Sequence, residues 1–263
     1  MAKFIEEFYY GNLDPQARST KQNKTVQKQM EVLMLNEDFL TEHLSGENKK
    51  KFLFLKRTIE DVSFISAADN TGTDVSPFAP LNRDFGWNYK IRPIKGKNGF
   101  CTVNFGENDE VAGYVLAIAS VHKVKGFELS DCDVIIYDEF IPQISESRIN
   151  KREGDILLEL QATVTRDRLL RGKPEVCVWL LANATSAVSP VSESLRLTDD
   201  IVEMSQKGIE YRYLEDRYIL LHNFPAPVSM RKDSRLYAAT RGTRWAAMAF
   251  DNEFAYNDFS KVR

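Results

Sequence analysis

Asp133-Val134-Ile135-Ile136-Tyr137-Asp138-Glu139-Phe140 runs four apolar residues into two adjacent carboxylates. The apolar run is too short for a membrane span and reads as a buried parallel strand. The carboxylates then sit at the strand's carboxyl end, where open α/β sheets place their ligands. An Asp-Glu pair there suits nucleotide hydrolysis. The Asp holds a hydrated Mg²⁺, and the Glu, one residue on, polarises the attacking water. The same octet also suits a strand that ends in a solvated acidic turn, so it does not settle the chemistry by itself.

Downstream, the spacing of Ile156, Leu157, Leu160 and Val164 predicts a helix from about Glu153 to Arg168. Val176–Ala182 is a second continuous apolar strand. Strand, helix, strand, with both strands apolar throughout, argues for a covered parallel sheet. The two strands should be adjacent and parallel, joined by a right-handed crossover. Upstream, Tyr89–Ile94, Phe100–Phe105 and Val111–Ala119 are strand-like, and residues 67–89 read as loop. Phe52–Leu55, bracketed by lysines and Arg57, reads as a buried strand with a helix close behind. Ile209–Tyr213 and Tyr218–His222 form a hairpin around Glu215-Asp216, and Ser234–Met248 reads as helix.

Residues 1–48 differ in character and read as a small helical segment. Phe4, Ile5, Phe8 and Tyr9 share one helical face, as do Val26, Met30, Leu33 and Met34. The fold class is therefore α/β, with an N-terminal helical segment ahead of a core over 49–263. The 263 residues, 43% hydrophobic, suffice for one sizeable core. A net charge of −3 gives no global drive toward nucleic acid. A local basic face remains open: Arg231, Lys232, Arg235, Arg241 and Arg244 lie near Tyr237 and Trp245 with one acid, Asp233, among them. Cys101, Cys132 and Cys177 have no CxxC spacing, so neither a disulfide framework nor a zinc site is indicated, and Cys177 reads as a core residue. No run approaches membrane length, which reads as a soluble protein of a reducing compartment.

After the acidic pair come Thr163-Val164-Thr165-Arg166-Asp167-Arg168, then Leu180-Leu181-Ala182-Asn183-Ala184-Thr185-Ser186, and later Asp251-Asn252-Glu253-Phe254. In this order the set resembles the DNA-packaging ATPase, or encapsidation protein, of small tailed bacteriophages. That family belongs to the P-loop motors related to large terminase subunits, and the resemblance runs from about Phe52 to Phe259. It implies a P-loop-NTPase-like sheet and ATP-driven translocation of DNA into a capsid, with Mg²⁺ and ATP as cofactors. It implies Asp138 as the metal-site carboxylate and Glu139 as the catalytic one. Arg166 matches the arginine inserted into a neighbouring subunit's site, Asn183 the coupling or sensor position, and Lys125 a lysine upstream of the acidic strand. The implied partners are a ring of like subunits, other packaging-motor subunits and double-stranded DNA, in the cytoplasm of a bacterial host and without a membrane.

Two departures qualify this. No G-x-x-x-x-G-K-[ST] occurs: Gly96-Lys97 is followed by Asn98, and Gly172-Lys173 by Pro174. The family's P-loop precedes the strand matched by Phe52–Leu55, where this chain has residues 1–48. Phe4–Lys51 instead resembles small uncharacterised helical proteins of bacterial mobile elements, in Phe8-Tyr9-Tyr10-Gly11-Asn12 and Leu44-Ser45-Gly46-Glu47. Family members also continue past Asp251–Phe254 into a nuclease-like or DNA-gripping domain, which the 49–263 core would lack. The expectation is an ATPase-like core with little hydrolysis alone. The alternative is a non-catalytic interaction or regulatory module of a mobile element.

Overall fold

The structure, a computed structural model, describes residues 51–67, 76–79, 82–83, 88–123, 127–142, 149–182, 186–223, 234–243 and 246. Residues 1–48, for which helices are expected, and Lys125, Asn183 and Asp251–Phe254 lie outside the described residues. In chain order the elements are β1 (Lys51–Lys56), α1 (Ile59–Ser66), β2 (Lys90–Pro93), β3 (Phe100–Phe105), β4 (Glu110–Ala117) and a 3₁₀ turn (Ile118–Lys123). Then follow β5 (Cys132–Asp138), α2 (Glu153–Leu169), β6 (Cys177–Leu181), α3 (Pro190–Ser194), α4 (Thr198–Lys207), β7 (Tyr211–Leu214), β8 (Ile219–His222) and α5 (Arg235–Thr240).

Six strands form one sheet in the order β2-β3-β4-β1-β5-β6. β5 and β6 are adjacent and parallel, with Val134 opposite Cys177 and Asp138 opposite Leu181. The predicted strand–helix–strand unit is therefore present. β1 lies between β4 and β5, parallel to both. The sheet is mixed rather than wholly parallel, because β2, β3 and β4 form an antiparallel meander on one side. The short turns at Gly96–Gly99 and Gly106–Asp109 leave no room for a crossover, so those strands reverse.

Period-two alternation sorts the central strands onto two faces. Leu53, Leu55, Ile135 and Tyr137 pack with Leu157, Leu160 and Val164 of α2. Phe54, Val134 and Ile136 pack on the opposite side with Val62 and Ile65 of α1 and with Phe78 and Tyr89. Both faces are covered, which is why Phe52–Leu55 and Val134–Tyr137 read as unbroken apolar runs. α1 begins with a reciprocal cap, Thr58 accepting from the Asp61 amide and Asp61 from the Thr58 amide.

The expectation for Val176–Ala182 needs correction. β6 is only half-buried along its length, Cys177 included, because it has a strand neighbour on one side only among the described residues. The run Val111–Ala119 also ends early, passing into the 3₁₀ turn at Ile118. α3 and α4 were not anticipated. Their local signals are short: Ser189 and Ser192 form a capping box at α3, and Gly208, at φ 62°, ends α4. Among the described residues no helix is long and apolar enough to cross a membrane.

Candidate functional site

β4, β1 and β5 are parallel, so their last residues, Ala117, Lys56 and Asp138, share one edge of the sheet. Leu55 stands opposite Tyr137, which puts Lys56 and Asp138 next in register. The Lys56 Nζ donates to Asp138 Oδ2 at 2.7 Å and faces Glu139 Oε2 at 3.5 Å. Burial alone would lower the Lys56 pKa, but the hydrogen bond and charge of Asp138, with the charge of Glu139, hold it above its ordinary value.

Glu139 has a left-handed backbone, φ 57°, uncommon outside glycine. Two hydrogen bonds brace this turn. The Phe140 amide donates to the Leu181 carbonyl at 3.1 Å, and Arg57 Nη2 donates to the Glu139 carbonyl at 2.7 Å. Arg57 is itself buried, and its Nε donates to Glu153 at 3.1 Å. Glu153, wholly buried at the first turn of α2, also accepts from the Tyr137 hydroxyl at 2.5 Å. Burial pushes the Tyr137 phenol far up, and the Glu153 charge adds to it, so this hydroxyl stays protonated and donating. A closed charge network thus underlies the acidic turn while the Asp138 and Glu139 carboxylates remain partly exposed above it.

Asp138 and Glu139 are therefore brought together at the carboxyl edge as expected. Arg166 is not brought to them. α2 starts at this edge with Glu153, whereas Arg168 near its end donates to the Cys132 carbonyl at the start of β5. A helix of 17 residues is about 25 Å long. Arg166 is thus held at the opposite edge, exposed and paired with its neighbour Asp167 at 3.2 Å. It cannot reach its own chain's carboxylates. The basic run over 166–173 is also not uniformly solvated: Arg168 is 1% exposed and bonded to Asp133 at 2.8 Å. Of the basic stretch 230–244, Arg235 and Arg241 are described and exposed.

Lys56, Arg57, Tyr137 and Glu153 escaped the sequence reading. Lys56 and Arg57 looked like the polar bracket of an apolar strand. Their meaning depends on β1 lying beside β5, a pairing some 80 residues apart in sequence. Lys56→Met should lower stability by about 1 kcal/mol at neutral pH, as for a partly exposed ion pair. Because the folded-state pKa of Lys56 is raised, its contribution is complete below the unfolded lysine value of about 10.4 and fades as pH rises through the folded value. The difference between wild type and Lys56→Met, measured by urea unfolding, should shrink in strong alkali. A constant difference would refute the pairing.

Comparison with known proteins adds the following. Residues 86–262 match the profile of the podovirus DNA encapsidation protein (Gp16) family. Residues 1–70 match DUF6809, a family of unknown function. The DNA packaging proteins of Bacillus phages PZA and phi29 are each 26% identical over 145 residues, covering 55% of this chain and 40% of theirs. The chain thus spans about two fifths of the length of these relatives. Among solved structures, the N-terminal domain of the phi29 DNA packaging ATPase aligns at 19% identity over 78% of this chain and 85% of that one, with a TM-score of 0.46. The Phi-28 gp11 DNA packaging motor aligns at 13% identity over 90% of this chain and 62% of that one, with a TM-score of 0.51, a similarity of fold. With two thirds of its length inside the matched region, the chain belongs to the podovirus DNA encapsidation protein (Gp16) family.

Proposed function

We propose that this chain is a packaging-motor subunit of ATPase type, acting in ATP-driven translocation of double-stranded DNA into a capsid and impaired in hydrolysis when alone. The observation that supports it is the Asp138-Glu139 turn, presented at the carboxyl edge of the parallel strands with Glu139 held in a costly backbone conformation. In this proposal Asp138 is the metal-site carboxylate, Glu139 the catalytic one, and Arg166 acts in a neighbouring subunit's site within a ring. Asn183 and Lys125 complete the set by position in the sequence, and the setting is the cytoplasm of a bacterial host.

The residues fit Mg²⁺ in one respect. Mg²⁺ bound with a nucleotide needs only one or two protein carboxylates beside phosphate oxygens, and Asp138 supplies one. Among the described residues no cluster of three metal-binding groups exists, so the protein offers no self-sufficient cage. The triphosphate fits less well, because no Walker A sequence occurs to cradle it. When bound, MgATP would supply the phosphoryl group and neutralise its charge. This chain's part is to orient Glu139 through the Arg57 bond to its carbonyl and to position the Asp138 carboxylate through its hydrogen bond from Lys56.

Lys56 also favours a second function. An ammonium already bonded to Asp138 occupies the ground a cation would need, as suits a non-catalytic partner of an intact motor. A coupled hydrolysis assay on pure protein, with Glu139→Gln as control, separates the two. The expected turnover is well below ~1 s⁻¹, the low end of ordinary enzymes. Residual hydrolysis that Glu139→Gln abolishes supports the catalytic reading. No MgATP binding at all, with or without a P-loop-bearing member of the family, would overturn it.

A further inference from the structure

Away from the acidic turn, the same edge of the sheet carries a separate basic pocket. The β2–β3 hairpin turns through Lys95-Gly96-Lys97-Asn98-Gly99, with Gly96 at φ 75° and Gly99 at φ 77°. The Gly99 carbonyl accepts from the Ala117 amide at 2.8 Å, which seats the turn against the end of β4. A Cβ on Gly99 would lie 2.8 Å from Ser120 Oγ, so only glycine permits this approach. Turn and 3₁₀ segment together enclose about 200 Å³, lined by Gly96, Lys97, Asn98, Phe100, Ser120 and Lys123. That is room for about six waters at ~30 Å³ each. It suits one small polar group and is below the usual size of a site for a whole nucleotide-sized ligand.

Charge points to an anion. Around the pocket, residues 94–105 and 111–123 carry Lys95, Lys97 and Lys123 and no Asp or Glu, whereas Glu107, Asp109 and Glu110 sit at the other end of β3, in a protein of net charge −3. Three cations of the sheet have carboxylate partners: Lys51 with Asp131, Lys56 with Asp138, Arg92 with Asp109. Lys95, Lys97 and Lys123 are exposed and have no carboxylate partner among the described residues. Two exposed lysines lining one pocket, with no carboxylate beside them among the described residues, match an anionic group such as a phosphate.

We propose that this pocket seats a backbone phosphate of double-stranded DNA, with Lys97 and Lys123 as its counter-charges. The acidic turn follows β5, three strand spacings from β3 or about 14 Å, so a phosphate here is a contact for grip rather than for hydrolysis. The choice of DNA rests on the packaging function proposed above. The test does not use nucleotide hydrolysis: an unchanged slope in a duplex-binding protein fails this proposal alone, whereas no duplex binding by wild type fails the packaging function with it.

Binding of a short fluorescent DNA duplex to the full chain is measured by anisotropy over a range of KCl. Each phosphate contact contributes about 0.9 to the slope of log K against log salt. Lys97→Gln with Lys123→Gln should therefore reduce the slope by about 2 and weaken binding at every sequence alike. Lys207→Gln, at the exposed Lys207–Glu203 pair, should leave the slope unchanged. Thermal unfolding of the double variant should match wild type, since both side chains are exposed. An unchanged slope, or no duplex binding by wild type, overturns the proposal. So does a double variant that loses competition by inorganic phosphate yet keeps its duplex affinity, which would make the pocket a free-anion seat.

Discussion

Glu153→Ala should lower folding stability by about 3–5 kcal/mol, the usual penalty for leaving a buried charge without its partner. Glu153 is wholly buried and Arg57 nearly so, and together with Tyr137 they have little water to fall back on. Truncation removes the carboxylate partner of the guanidinium and the Glu153 acceptor of the phenol hydroxyl at once. Urea unfolding should show a much lower midpoint with a similar slope. The double variant Arg57→Met with Glu153→Leu should recover the share of the loss due to the ion pair, because apolar replacement of a buried pair is often close to neutral, while the Tyr137 hydroxyl still lacks its Glu153 acceptor. It also removes the donor to the Glu139 carbonyl, so any hydrolysis measured above should fall further in the double variant although stability partly returns. A loss under about 1 kcal/mol in Glu153→Ala, the range of an exposed pair, would mean that the network is hydrated in solution.

Arg168→Ala should be comparably severe, again about 3–5 kcal/mol for a broken buried charge network. Its guanidinium donates to the Pro174 carbonyl at 2.7 Å, the Cys132 carbonyl at 2.6 Å and Asp133 at 2.8 Å. These bonds tie the end of α2 to the start of β5. Arg168→Lys should restore little, since one ammonium cannot reproduce a planar fork that spans four acceptors, the Ser130 carbonyl included. Thermal unfolding of both variants checks this, and a lysine variant close to wild type would show that charge alone suffices.

Much of the fold was legible because burial on both faces leaves a simple mark. Phe52–Leu55 and Val134–Tyr137 are unbroken apolar runs, and Leu157, Leu160 and Val164 keep helical spacing. Sheet order was not legible. Whether β1 neighbours β5 or β6 depends on long-range pairing, and nothing local encodes it. The site divided the same way. Asp138 and Glu139 could be read from one octet, whereas Lys56 and Arg57 acquire a role only through the strand beside them. The burial of Arg168 was not legible, because a cation at a helix end is usually solvated. It follows from four acceptors converging on one pocket, three of them, from Ser130, Cys132 and Asp133, 35–38 residues away along the chain.

The left-handed backbone at Glu139 bears on how long such a chain keeps its acidic turn. For a residue with a Cβ this conformation costs roughly 1–2 kcal/mol, and glycine escapes the cost. Glu139→Gly should therefore be tolerated or even stabilising, and asparagine should stand between the two. Random substitution filtered by folding alone would drift toward those residues within this turn. A carboxylate at position 139 is a stability disadvantage that only a use for it, present or recent, would keep in place.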